Sequence, residues 1–166
     1  KDNKEIIEYK IEKTKDNFNF KSIIQLNNNP LVIDFLNYKK KENVNSSIKF
    51  EGTVKKNKKL FFKNIEFIEN KNKFIFNELN LNRYYKINSV DKININFNNE
   101  DKIKNVINLT KNKKNYKIIG ESFDISKLID VVLNGKNDQG SYSIFNKLDA
   151  VITVNVNKTY LDNLLF

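Results

Sequence analysis

Apolar and polar side chains alternate with a period of two along much of this chain, the spacing that sends successive side chains to opposite faces of a strand. Ile7, Tyr9 and Ile11 alternate with Glu8, Lys10 and Glu12. Ile48, Phe50, Gly52 and Val54 alternate with Ser47, Lys49, Glu51 and Thr53, and Ile93, Ile95 and Phe97 with Lys92, Asn94, Asn96 and Asn98. Phe18 and Phe20 begin a further run that Ser22, Ile24 and Leu26 continue until Pro30. The longest example sets Leu148, Ala150, Ile152, Val154 and Val156 against Asp149, Thr153, Asn155 and Asn157, with Val151 alone breaking the polar face.

Two stretches change phase. Leu60 and Phe62 share one parity while Ile65 and Phe67 take the other, and Phe74/Phe76 give way to Leu79/Leu81 in the same manner. A one-residue slip inside a strand pattern predicts a β-bulge or a tight bend. Residues 31–38 fit either a strand or a short helix. The clearest helical spacing is Ile125, Leu128, Ile129 and Val132, with Asp124 as N-cap and Gly135 at the C-terminal end. The polar stretch from Lys136 to Ser143 reads as a loop, and the lysine clusters at 39–41, 55–59 and 111–114 read as solvated hairpin turns. The expected fold is mainly β: an antiparallel meander of short strands forming a curled open sheet or groove, with one short helix near 124–134. Strands that close on each other as a sandwich are the alternative.

Length and composition refine this picture. The chain has 166 residues, about one domain, and residues 1–166 read as a single β-rich segment. No apolar stretch approaches the length of a membrane-crossing helix, and no leader-like segment is evident. Lys1 at the start and Leu164-Leu165-Phe166 at the end give the expectation of a piece of a longer protein. The net charge of +10 invites a polyanionic partner. Arg83 is the sole arginine, however, and asparagine, isoleucine and phenylalanine abound, the residue set an AT-rich genome encodes. Nucleic-acid readers favour the planar arginine fork, so a nucleic-acid partner is disfavoured.

The chain has no histidine and no cysteine, which removes the usual general base, thiol nucleophile and soft metal ligands. Carboxylates remain. Asp124 and Asp130 fall on different faces of a helix, Glu66 and Glu69 point opposite ways from a strand, and Glu100 with Asp101 sits in a polar turn. All read as solvated surface groups. The Gly135–Gly140 loop lacks the spacing of a phosphate loop or a calcium loop. No enzyme, cofactor or metal is expected. The aromatic residues share parity with isoleucine and valine, so they belong to an apolar face and not to a lysine-studded one suited to stacking bases.

One stretch carries a family likeness. Tyr116-Lys-Ile-Ile-Gly120-Glu-Ser-Phe-Asp124-Ile-Ser-Lys-Leu-Ile-Asp130 is followed, after a loop, by Leu148-Asp149-Ala-Val-Ile-Thr-Val-Asn-Val-Asn-Lys-Thr-Tyr160-Leu-Asp162. This resembles the AsmA-like superfamily of Gram-negative envelope proteins, particularly its YhdP-like members, in which a strand ending in glycine leads to a Ser-Phe-Asp helix start and then a long alternating strand. The run from Phe50-Glu-Gly52 through Phe97 is similar to their repeated short strands, so the resemblance covers residues 46–166. The lysine and asparagine content departs from the family.

The resemblance implies a periplasmic β-groove that carries phospholipid between inner and outer membranes, held to the inner membrane by an anchor outside this chain. The implied partners are phospholipid acyl chains, adjoining β-segments of the same parent chain, and the membrane itself. The lipid-groove residues would be Ile48, Phe50, Val54, Phe74, Phe76, Ile93, Ile95, Phe97, Ile152 and Val154. The alternatives are a basic β-domain binding nucleic acid and a purely structural β-sandwich.

Overall fold

The computed structural model describes residues 5–55, 59–127, 129, 151–162 and 164–165. Its strands follow the alternating runs. In the first half these are β1 (Ile7–Lys13), β2 (Asn17–Gln25), β3 (Leu31–Ile33), β4 (Tyr38–Lys40), β5 (Ser46–Lys55), β6 (Leu60–Glu69) and β7 (Asn72–Leu81). There follow β8 (Ile87–Ser89), β9 (Lys92–Asn98), β10 (Lys104–Asn112), β11 (Asn115–Asp124), β12 (Ile152–Leu161) and β13 (Leu164–Leu165).

One sheet takes the order β1-β2-β5-β6-β7-β9-β10-β11-β12-β13, with β8 added at the end of β7, and it does not close. The antiparallel meander holds through β11. There the expectation needs a correction, because β12 pairs parallel to β11, Tyr116 opposite Ile152 and Gly120 opposite Val156. The 125–151 connection returns the chain to the end where β11 began, a crossover that no tight hairpin turn can make.

Residues 31–38, open between strand and helix in the sequence, supply both. β3 leads into a 3-10 turn over Asp34–Leu36, and Asn37 in a left-handed conformation (φ 50°) turns the chain back into β4. This β3–β4 arm is inserted between β2 and β5 and folds over one end of the sheet, burying Leu36 and Tyr38 against Phe67, Phe74 and Phe97.

Register makes the sheet two-sided. Residues paired across strands share a face, and the pairs Ile7–Ile24–Ile48–Phe67–Phe74–Ile95–Ile107–Gly120–Val156 form one row across nine strands. The neighbouring row on that face is Tyr9–Ser22–Phe50–Ile65–Phe76–Ile93–Leu109–Ile118–Val154. The opposite face is mainly polar, with Asn64 bonded to Asn77, Lys73 paired with Glu66 and Lys63 with Glu51, though Ile23, Ile75 and Ile119 also lie on it.

The phase changes in the sequence are bulges that keep this division. Between β5 and β6 the register slips at Glu51/Gly52, leaving Lys63 without a cross-strand partner. Between β6 and β7 the register itself is unbroken, with Lys63 and Glu78 facing each other between the Asn64–Asn77 and Phe62–Leu79 pairs. Glu78 takes a left-handed conformation there (φ 54°). Without the slip Phe62 and Leu79 would face water with the lysines. With it they rejoin the apolar face.

Gly52 is demanded by that bulge. A Cβ at this position would lie 2.1 Å from the Phe61 carbonyl oxygen and 2.7 Å from the tip of the Phe20 ring. Phe20, Phe50 and Phe62 gather over it in edge-to-face contacts with centroids 5.5–6.1 Å apart. Gly120 marks a second slip, where Ile107 pairs Gly120, Val106 pairs Ser122, and Glu121 is left over. The strand therefore does not end at Gly120, as the family likeness implied, but runs on to Asp124.

Candidate functional site

The apolar face divides into a covered part and an open lane. Three of the ten proposed groove residues are covered: Phe74 is 0 % exposed, Phe97 1 % and Ile95 7 %, and the Tyr38 ring packs against the first two, tilted and edge-to-face, at 4.8 and 5.5 Å between centroids. The β3–β4 arm occupies the place an acyl chain would take on them. Alternation alone does not show this, because the arm's own pattern over 31–40 is too short to say where it docks.

Two interactions fasten the arm. The Tyr38 hydroxyl donates to Glu69 Oε2 at 2.6 Å, and Asn72 Nδ2 donates to the same oxygen at 2.8 Å. Burial, and then the hydrogen bond to the carboxylate, push the Tyr38 phenol well above its ordinary pKa. Glu69 is thus a buried structural acceptor and not the solvated carboxylate its sequence context suggested. Lys40 corrects the sequence reading in the same direction. It lies in one of the lysine clusters read as solvated turns, yet it is fully buried. Its ammonium donates to the carbonyls of Asn27, Asn29 and Lys41 at 3.3, 2.7 and 2.9 Å. Those three carbonyls use all three ammonium hydrogens and tie the arm's entry to its exit.

Asp124 is likewise buried. Its Oδ1 accepts from the Ser126 backbone N–H at 3.0 Å and from the Ser126 hydroxyl, its Oδ2 accepts from Asn99 Nδ2 at 2.6 Å, and its own N–H donates to Asn105 Oδ1 at 2.7 Å. Its side chain caps the helix start as the spacing predicted, but from one residue further back: the helix begins at Ser126, and Ile129 N–H donates to the Ile125 carbonyl. Most of the helix near 124–134, Asp130 and the Gly135–Gly140 loop lie outside the described residues. Glu66 points to the polar face and pairs with Lys73 at 2.8 Å. Among the described residues, no three acidic side chains group to hold a metal ion.

The remaining seven groove residues fall into two sets. Ile48, Phe50, Val54, Phe76 and Ile93 are half-buried in the middle of the sheet, whereas Ile152 and Val154 are exposed on β12. Phe50, Phe76, Ile93 and Val154 share one cross-strand row. That row runs between the arm-covered cluster and a second cluster of Leu79, Val90 and Tyr116 where the segment after β7 folds back. Ile65, Leu109 and the buried Ile118 lie in the same row between them, and the sequence reading missed them. Leu109 and Ile118 carry the same alternation in β10 and β11 and were legible by it.

Among the described residues, nothing pairs with either outer edge of the sheet. β1 is exposed along its whole length, with Ile7, Tyr9 and Ile11 uncovered on the apolar side, and β13 leaves Leu164 and Leu165 uncovered at the other edge. On the polar side, a shallow depression of about 350 Å³ is lined by Lys10, Lys21, Lys63, Glu12 and Glu51. Its ion pairs, Lys10–Glu12 at 2.6 Å and Lys63–Glu51 at 3.2 Å, are solvent-exposed and contribute little to stability.

No family model, no curated protein and no solved structure matches this chain.

Proposed function

We propose that this chain is a segment of an AsmA-like envelope protein whose apolar sheet face carries phospholipid acyl chains between the inner and outer membranes. The observation that carries the reading is the apolar row from Phe50 to Val154 across an unclosed sheet, in which Phe50, Phe76 and Ile93 are half-buried, Ile118 is buried and Val154 is exposed. A one-sided sheet must cover its apolar face with a second layer or a ligand. Among the described residues, the β3–β4 arm covers one end of it.

Acyl chains suit the lane because it offers aliphatic and aromatic surface and no directional donors, and burial of each methylene contributes about 0.8 kcal/mol. The buried polar groups do not compete for a ligand: Glu69, Lys40 and Asp124 are each engaged in bonds within the protein. In this reading the chain is not an enzyme. The Phe74, Ile95 and Phe97 part of the groove acts as packing beneath the arm, and lipid contacts begin at Phe50 and Phe76. The open edges at β1 and β13 join β-segments of the same parent chain, and an anchor outside this chain holds the assembly to the inner membrane, in the periplasm.

The test is native mass spectrometry and solvent extraction of the purified chain. Phospholipid should co-purify at a defined stoichiometry, and Val154→Asp, which places a carboxylate at an exposed position of the lane, should reduce it without loss of fold. A folded chain free of lipid that takes up no fluorescent fatty-acyl probe would overturn the reading.

A further inference from the structure

Tertiary structure sorts the charges of this chain by end. In a meander every second turn falls at the same end, so the connections over 14–16, 55–59, 82–91 and 113–114 all lie along one rim of the sheet. Among their described residues, Lys15, Lys55, Lys59, Arg83, Lys86, Lys113 and Lys114 stand against Asp16 and Asp91. Asp91 is already engaged by Lys111 at 3.4 Å. At the opposite end, the connections over 26–45, 70–71 and 99–103 hold five lysines, one of them the buried Lys40, against Asp34, Glu42, Glu100 and Asp101. Among the described residues, the surplus of positive charge is therefore concentrated on one rim. With strands about 4.8 Å apart, that rim is about 35 Å long from β1 to β11.

The same rim bears two outward tyrosines. Tyr84 is 64 % exposed and Tyr85 69 %, and the Arg83 guanidinium lies over the Tyr84 ring at 4.6 Å. They do not hang on a slack loop. Asn82 Oδ1 accepts from the N–H groups of Tyr84 and Lys86 at 2.8 and 3.1 Å, and Asn82 N–H donates to the Lys86 carbonyl at 2.9 Å. Tyr85 holds a left-handed conformation (φ 60°), unfavourable for a bulky side chain. The turn thus fixes two amphipathic rings beside cations, the composition found where a protein meets the headgroup layer of a bilayer.

We infer that this rim, with Tyr84 and Tyr85 at its centre and lysines along its length, docks on the anionic headgroup surface of a phospholipid bilayer. The choice of a bilayer over another polyanion rests on the lipid reading above. The cations supply attraction to anionic lipid, and the tyrosines enter the interface. Docking by this rim sets the strands end-on to the membrane and brings the Phe20–Phe50–Phe62 end of the apolar face next to the acyl region, whereas the arm-covered end points away.

The experiment is flotation of the chain with vesicles of phosphatidylcholine containing phosphatidylglycerol, against vesicles of phosphatidylcholine alone. Binding to the anionic vesicles that weakens with salt is the expected result. Lys113→Asn with Lys114→Gln removes two exposed charges at a turn, asparagine being suited to the left-handed conformation of Lys113 (φ 57°). It should lower the partition coefficient about thirty-fold. The charge-matched control at the opposite end, Lys39→Gln with Lys71→Gln, should leave it unchanged. The chain has no tryptophan, so Tyr84→Trp gives an independent readout, with blue-shifted emission and quenching by brominated lipid on binding. Equal losses from both lysine pairs, no binding at low salt, or tighter binding to single-stranded oligonucleotide than to vesicles would each sink the inference. Vesicle binding by a chain that carries no acyl lipid would overturn the groove and leave the rim standing. Co-purified lipid without vesicle binding would do the reverse.

Discussion

The hydroxyl of Tyr38 donates to the buried carboxylate of Glu69 at 2.6 Å, and this bond joins the inserted arm to the end of β6. Tyr38 also presents its ring to Phe67, Phe74 and Phe97. Its polar tip and apolar body therefore act on the same junction. Tyr38→Phe should keep the stacking and leave the carboxylate short of one donor, costing about 1–3 kcal/mol in urea unfolding. Tyr38→Ala should cost about 3–5 kcal/mol because it also opens a cavity over Phe74 and Phe97. Equal losses in the two variants would show that the bond and not the packing holds the arm.

The same bond sets a pH limit. Burial and Glu69 hold the Tyr38 phenol protonated in the folded state above the ordinary value of 10. Once pH exceeds about 10, the unfolded chain releases this proton and the folded chain keeps it. The unfolded state then binds fewer protons, so stability falls as pH rises, by up to about 1.4 kcal/mol per pH unit. Below pH 10 this contribution is fully present. Chemical unfolding between pH 9 and 11 should show a decline in the parent that is shallower in Tyr38→Phe. Parallel curves would contradict the assignment.

Lys40 has three carbonyl acceptors and no exposed surface. Lys40→Met should keep the bulk of the stem and strand those carbonyls, destabilising the chain by about 3 kcal/mol. The loss should be local first. Hydrogen exchange at 27–45 should rise before exchange in β6 and β7, because the ammonium ties the two ends of the arm and not the sheet.

Gly52→Ala places a methyl group against the Phe61 carbonyl at 2.1 Å and the Phe20 ring at 2.7 Å. The backbone must shift, at a cost of about 1–3 kcal/mol. A lowered melting temperature with weakened near-ultraviolet aromatic signal would report the displaced Phe20–Phe50–Phe62 trio. An unchanged melting curve would mean that the bulge relaxes freely.

Much of the sheet was legible because alternation is local chemistry. Ile93, Ile95 and Phe97 could only put their apolar side on one face, and β9 follows them. The phase slips at 62–65 and 76–79 likewise announced the bulge at Lys63 and the left-handed backbone at Glu78. Asp124 was legible as a cap, though not as a buried one. The candidate lane was legible in part: parity placed Phe50 and Ile93 on the apolar face, but parity cannot say that an insertion will sit on Phe74 and Phe97.

The sequence by itself determined the strands, their two-sidedness and the absence of histidine and cysteine chemistry, since each follows from residue type and spacing. Only tertiary structure decided which apolar residues stay open, because that depends on where the 26–45 insertion folds back across strands distant in sequence. It also decided that Lys40 is buried while Lys113 and Lys114 share a rim with Arg83. Lysine runs look alike in a sequence. The alternation of turn ends in a meander, and the reach of one inserted arm, separate them.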